Sequence, residues 1–220
     1  METNNKAIHI MAGGPRHLIP DVFQGNDQDI LWIGVDRGVI YLLDAGIRPD
    51  FAVGDFDSIS AEEWEKVRSH IQAVNRFKPE KDETDMELAI EWALKHNPDS
   101  IKIFGGTGGR SDHFFANAFM LAPYQLKQQT VTFELIDIQN TISIFYPGEY
   151  DIEIDNTKKY ISFLPLSSEI FGLSLKGFKY PLKDKYVPFG SSLCISNELL
   201  QQTGTFSFEK GILMMVRSTD

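Results

Sequence analysis

Cysteine is almost missing. Cys194 is the single one in 220 residues, so neither an internal disulfide nor a cysteine zinc cluster can form, and a reducing compartment is the natural setting. No apolar run approaches the ~20 residues of a membrane span, and no h-region precedes a small-residue cleavage site after the polar residues 1–6. The expected location is the cytoplasm, with no membrane partner. Basic charge is scarce too: 21 Lys and Arg face 31 Asp and Glu, for a net charge of −10. A surface that repels phosphate as a whole excludes a duplex-coating nucleic-acid binder, yet leaves room for a local phosphate pocket. The five histidines share no zinc-ligand spacing and no G-x-S-x-G elbow occurs. His9 reads as a strand residue and His17, His70 and His96 as solvated. What is present, 42% hydrophobic and 24% charged residues, suits a globular chain of one or two domains.

Short apolar runs at residues 7–11, 30–35, 51–53 and 101–104 read as strands. Helical patterns alternate with them. Val39, Leu42 and Leu43 share a face that closes at Gly46 and Pro49. Ser60-Ala61-Glu62-Glu63 and Thr84-Asp85-Met86-Glu87 are capping boxes: the hydroxyl accepts an N–H three residues on, and the glutamate accepts the cap's own N–H. They open helices that turn Trp64, Val67 and Ile71, and Met86, Ala89, Ile90, Ala93 and Leu94, inward. Another helix is expected over 112–121, stopped before Pro123. Strand and helix in turn predict a parallel sheet. Beyond about Thr130 the segments 141–146, 150–154, 160–164, 173–177, 193–196, 205–208 and 212–217 are short and β-rich, parted by Pro147-Gly148, Asp155-Asn156 and Lys210-Gly211. They predict an antiparallel sandwich, with Cys194 inert in one of its strands. The expected fold class is α/β: an N-terminal parallel-sheet α/β domain over residues 1–140, then a C-terminal antiparallel β-sandwich domain over 141–220, the boundary lying within 137–145. Trp32, Trp64 and Trp92 all fall in the first domain and read as core or interface.

Aspartates gather where predicted strands end: Asp36 after the second, Asp55 and Asp57 after the third, Asp82 and Asp85 before the helix at 85, and Asp112 after a glycine loop. In an open parallel sheet those strand ends share one edge, where ligands bind. Carboxylates brought together repel unless a cation holds them. Magnesium, which bridges one or two carboxylates to substrate phosphates, is the economical answer. In Gly54-Asp55-Phe56-Asp57-Ser58 an extended backbone would send both carboxylates to one side and Phe56 into the fold; the alternative is a turn whose aspartates cap the next helix. Thr84 and Asp85 likewise serve either as cap and dipole partner or as metal-side groups, with Lys81 near substrate. Gly105-Gly106-Thr107-Gly108-Gly109-Arg110 is neither a P-loop nor G-x-G-x-x-G. It still offers bare N–H groups, a helix N-terminus and one guanidinium, the parts of a phosphate cradle, with Gly13-Gly14 as a second wall. His113 is the one histidine near this crevice.

Taken together, Asp36-Arg37-Gly38, Gly54-Asp55-Phe56-Asp57-Ser58, Lys81-Asp82-x-Thr84-Asp85 and Gly105-Gly106-Thr107-Gly108-Gly109-Arg110-x-Asp112-His113 resemble, in order and spacing, the thiamine pyrophosphokinase family. Ser196-Asn197-Glu198 resembles its C-terminal substrate-side signature, so the likeness spans nearly the whole chain. It implies magnesium-dependent transfer of pyrophosphate from ATP to the hydroxyl of thiamine, with release of AMP, by a homodimer whose second domain binds thiamine and dimerises. It implies a catalytic set of Asp55, Asp57, Asp85 and Asp112, the first three holding the metal with Thr84 and Asp112 alongside. ATP and its phosphates would fall to Gly13, Gly14, Asp36, Arg37, Thr84 and the loop Gly105, Gly106, Thr107, Gly108, Gly109 and Arg110. Thiamine would meet Lys81, Ser196 and Asn197, the last two as candidates to act across the dimer interface. Lys81 stands where some members, notably animal ones, carry glutamine. Asp112 and Asp82 are both candidate acceptors for the hydroxyl proton. Two other readings compete: a nucleotide or thiamine sensor without turnover, and a haloacid-dehalogenase-like phosphatase with Asp55 as nucleophile and Asp57 as acid/base, a pattern that Gly54 and the glycine loop interrupt.

Overall fold

The computed structural model describes residues 6–23, 30–57, 59–71, 74–76 and 83–220. These fall into two compact units, Met1–Met120 with Gln129–Ile138, and Leu121–Gln128 with Gln139–Asp220.

The first unit is built on six parallel strands: β1 (Ala7–Met11), β2 (Leu31–Val35), β3 (Phe51–Gly54), β4 (Val74–Arg76), β5 (Ser100–Phe104) and β6 (Thr132–Ile136). Ile8, Ile10 and Met11 of β1 and Ile33 of β2 are fully buried, as befits strands covered on both faces by helices. The helices are α1 (Gly38–Asp44), α2 (Ala61–His70), α3 (Asp85–Leu94) and the first part of α4 (Ser111–Lys127), whose residues from Leu121 onward belong to the second unit. Both capping boxes form. The Glu63 N–H donates to Ser60 Oγ at 3.1 Å and the Ser60 N–H to Glu63 at 2.7 Å; the Thr84 and Glu87 pair repeats this at 3.2 and 2.7 Å. Strand order is β4-β3-β2-β1-β5-β6. The chain thus leaves β1 toward one side through β2, β3 and β4, then returns to the other side of β1 as β5. That reversal opens a crevice at the C-terminal ends of β1 and β5.

Three expectations about this unit need correction. Strands β4 and β6 were not foreseen: β4 is three residues long, and β6 sits past the point where the texture of the sequence changes. Helix α4 does not stop before Pro123; it runs through to Lys127. Pro123 costs the helix one N–H donor, and the ladder still closes beyond it, with the Gln128 N–H bonded to Tyr124 O at 2.9 Å. Nor is His96 solvated. It is half-buried, its ring centroid 3.9 Å from that of Trp92, with Nδ1 3.0 Å from the Trp92 carbonyl.

The second unit is all antiparallel. One sheet orders β7 (Asn140–Phe145), β13 (Leu213–Ser218) and β9 (Tyr160–Pro165); the other orders β11 (Leu182–Pro188), β10 (Glu169–Lys176), β12 (Thr203–Phe208) and β8 (Gly148–Glu153). Their facing side chains form one core that includes Ile161, Phe163, Leu175, Phe206 and Leu213, the layout of a sandwich. Strand β11 escaped the sequence pattern because it is an edge strand whose Lys183, Asp184 and Lys185 are exposed, a common guard against stray pairing. Residues 193–196 do not form a strand; they are a turn bridged to β9 through Asn197 and Ile161. Cys194 is buried in that turn, where burial pushes its thiol up to about 11 and makes it inert.

Phe206 is fully buried, and its ring meets those of Phe145, Tyr150 and Phe163 at 4.9 to 5.1 Å. Phe206→Ala should lower stability by about 3–5 kcal/mol, read as a lower urea midpoint. A loss below about 1 kcal/mol would mean the sandwich core is not centred there.

Candidate active site

The crevice at β1 and β5 starts as a backbone contact. The Ala12 N–H donates to Phe104 O and the Gly14 N–H to Gly105 O, both at 2.8 Å, so the two loops leave the sheet side by side. Gly105 has a φ of +66, and a Cβ there would sit 2.3 Å from the Ala12 carbonyl oxygen; only glycine permits this approach. Tyr41 of α1 braces the first loop, its hydroxyl donating to Gly14 O at 3.2 Å. Asn117 of α4 braces the second, its Nδ2 donating to Gly106 O at 2.9 Å. Thr107 is buried, and its hydroxyl has no partner.

The acidic wall comes from the ends of β2 and β3. Asp36 has a φ of +49, its N–H donates to Val53 O at 3.0 Å, and its carboxylate accepts the Phe56 N–H. Phe56 has a φ of +59 and packs with Trp64, Val67 and Ile71. Asp55 and Asp57 therefore do not project from an extended segment. They sit on a left-handed turn in which the Asp57 N–H donates to Asp55 Oδ1 at 3.0 Å, and the inward Phe56 anchors it. Gly54 has a φ of +153, and a Cβ on it would lie 2.1 Å from Asp36 Oδ1.

One cavity of about 920 Å³ collects these walls. Gly13, Gly14, Asp36, Arg37, Asp55, Asp57, Thr84, Asp85 and the whole loop Gly105, Gly106, Thr107, Gly108, Gly109 and Arg110 line it, as does His113. Burial first, then the charges of Asp85, Asp55 and Asp57, push the Asp36 carboxyl up to about 6. Its Oδ1 is buried with no hydrogen-bond partner. Thr84 keeps its hydroxyl for the cap of α3, accepting from the Glu87 N–H and donating to the Glu87 carboxylate. Arg37 forms an ion pair with Glu63 at 3.3 Å. Among the described residues no group of three or more Asp, Glu, His or Cys is arranged to hold a metal ion by itself.

Other sequence-predicted residues lie elsewhere. Asp112 does not line the cavity; it pairs with Arg110, whose hydrogen bonds hold its carboxyl below the usual range. Lys81, Asp82 and Ser58 fall outside the described residues. In the second unit Ser196 is exposed with a φ of +56. Asn197 is buried, and its amide is committed to backbone: it accepts from Tyr180 and Glu198 N–H groups and donates to Tyr180 O. Tyr41, Asn117 and Met86 line the cavity without having been foreseen. Helical spacing was the available signal, since Tyr41 and Asn117 each lie four residues beyond a flagged position, Arg37 and His113.

A glycine-walled, carboxylate-rich crevice at the reversal point of a parallel sheet, in a chain that also carries a β-sandwich unit, defines an α/β phosphate-handling class. Comparison narrows the class. Residues 24–133 match the thiamin pyrophosphokinase catalytic domain, and 149–213 match the thiamin pyrophosphokinase vitamin B1 binding domain. The chain is 54% identical over 215 residues to the thiamine pyrophosphokinase of Bacillus subtilis, covering 98% of this chain and 100% of that one. The crystal structure of the Bacillus subtilis thiamine pyrophosphokinase superposes with a TM-score of 0.92 at 53% identity, covering 98% and 100% of the two chains. That of the Geobacillus thermodenitrificans thiamin pyrophosphokinase gives 0.89 at 45% identity, covering 97% and 98%. The chain belongs to the thiamine pyrophosphokinase family of enzymes.

The raised Asp36 sets a pH dependence. With its folded value near 6 and its unfolded value near 4, its contribution to stability is complete below about pH 4 and is lost as pH rises through about 6. Asp36→Asn should therefore raise stability at pH 8 by about 1–2 kcal/mol after solvent screening and change little at pH 4. Thermal melts at both pH values measure this; equal shifts at the two would contradict the burial of that charge.

Proposed function

We propose that this chain transfers pyrophosphate from ATP to the hydroxyl of thiamine, giving thiamine diphosphate and AMP, with magnesium, as a cytoplasmic homodimer. Synthesis of thiamine diphosphate follows from family membership. ATP as the donor is what the family resemblance implies, and the observation that supports a magnesium-bound polyphosphate is the crowd of carboxylates beside a glycine cradle.

The donor set fits a hard divalent ion. Asp55, Asp57 and Asp85 offer only oxygen, the unpartnered Oδ1 of Asp36 leaves negative charge buried behind them, and mutual repulsion disfavours the cluster without a cation. Magnesium keeps several waters and substrate oxygens, so it needs only one or two of these carboxylates. Once bound, it would neutralise polyphosphate charge and fix the reacting phosphorus. The chain's own groups supply the rest. Backbone N–H groups of the two glycine loops, the N-terminus of α4 and Arg110 donate hydrogen bonds to the phosphates. The braced loops hold the chain of phosphates still while the thiamine hydroxyl attacks in line. For thiamine, exposed Ser196 is the available contact, and Asn197 holds that segment in shape by its backbone bonds.

Incubation with ATP, magnesium and thiamine should yield AMP and thiamine diphosphate in equal amounts, and chelation should stop it. Asp57→Ala and Asp85→Ala should each lower kcat by about 100-fold or more with unchanged far-UV circular dichroism. ATP hydrolysis independent of thiamine would point to a phosphatase; binding with no product would point to a sensor. Near-normal turnover in both variants would overturn the metal assignment.

A further inference from the structure

Arg110 and Asp112 lie two residues apart where the glycine loop becomes α4. Arg110 Nε donates to Asp112 Oδ1 at 3.1 Å, and Nη2 donates to Oδ2 at 2.6 Å. Two-point contact of this kind uses one edge of the guanidinium. Of its five N–H groups, both on Nη1 and one on Nη2 stay available, and these form a second parallel fork that matches a phosphoryl group. Arg110 lines the cavity and Asp112 does not.

We propose that Asp112 is a positioning residue that acts through Arg110, holding the guanidinium by its side edge so that the end edge is presented to the polyphosphate. On this account it is neither the acceptor of the hydroxyl proton nor a ligand of the ion. The inference rests on the reading of the cavity as a polyphosphate site. An arginine following two glycines has many conformers to lose on meeting a ligand, and pre-ordering removes that loss from the binding step. The helix dipole explains an acidic side chain in the first turn, but dipole stabilisation asks only for charge, not for a planar grip on a neighbour. A carboxyl held below its usual range by its partner is also a weak proton acceptor.

The test is a double-mutant cycle on ATP–magnesium affinity by titration calorimetry, with Arg110→Ala, Asp112→Ala and the two combined, all checked by thermal melting. Asp112→Ala alone should weaken ATP about tenfold, and in the Arg110→Ala background it should add less than about twofold. In Asp112→Asn, kcat at saturating ATP and thiamine should fall no further than in Arg110→Ala, and its pH profile should keep the parent's shape. An equal loss from Asp112→Ala with and without Arg110, or a pH limb of kcat lost in Asp112→Asn, would overturn the proposal. Failure of the unaltered protein to bind ATP–magnesium at all would instead strike the polyphosphate reading beneath it.

Discussion

Asp36 is held against the charge of three other carboxylates, at a half-buried position where its buried Oδ1 finds no donor. Like charge gathered at a partly desolvated position is costly, so the surrounding fold must over-determine it. It does so through the backbone: Asp36 and Phe56 both occupy left-handed conformations, locked by bonds between Asp36, Val53 and Phe56, and Phe56 is buried as a wedge under α2. Strain gathered in this way at a cavity fits a site pre-organised for a cation and its anionic cargo.

The opposite wall carries the complementary physics. Its strand order puts the ends of β1 and β5 side by side, and glycines let the two loops bond directly through backbone. Tyr41 and Asn117 then fix those loops from the helices. Acidic side chains on one wall and bare N–H groups on the other would repel or attract a polyphosphate respectively, unless a divalent ion stands between phosphate and carboxylate. The chain's net charge of −10 makes the same point at larger scale: attraction for phosphate has to be local.

Much of this was legible in the sequence because local rules decided it. Ser60 and Thr84 announced their helices through side-chain reciprocity, and the apolar strands of the first unit needed only burial. The aspartates could be placed together because a parallel sheet gathers its loops at one edge. What escaped was set by tertiary context. Whether Phe56 adopts an extended or a left-handed backbone depends on Asp36, twenty residues earlier in the chain. Pro123 breaks a helix by propensity, yet α4 continues. Strand β11 is polar because it lies on an edge, and residues 193–196 alternate like a strand while lacking a ladder. Pairing of Asp112 with Arg110 rather than with the cavity could not be read from their spacing.

Anomalous diffraction from crystals grown with manganese and a non-hydrolysable ATP analogue tests the central claim most directly. The account predicts an anomalous peak in the first-unit cavity, within coordination distance of oxygen from Asp55, Asp57 or Asp85 and of the analogue's phosphates. A nucleotide bound in that cavity with no metal beside these carboxylates, or a peak on other residues altogether, would contradict it.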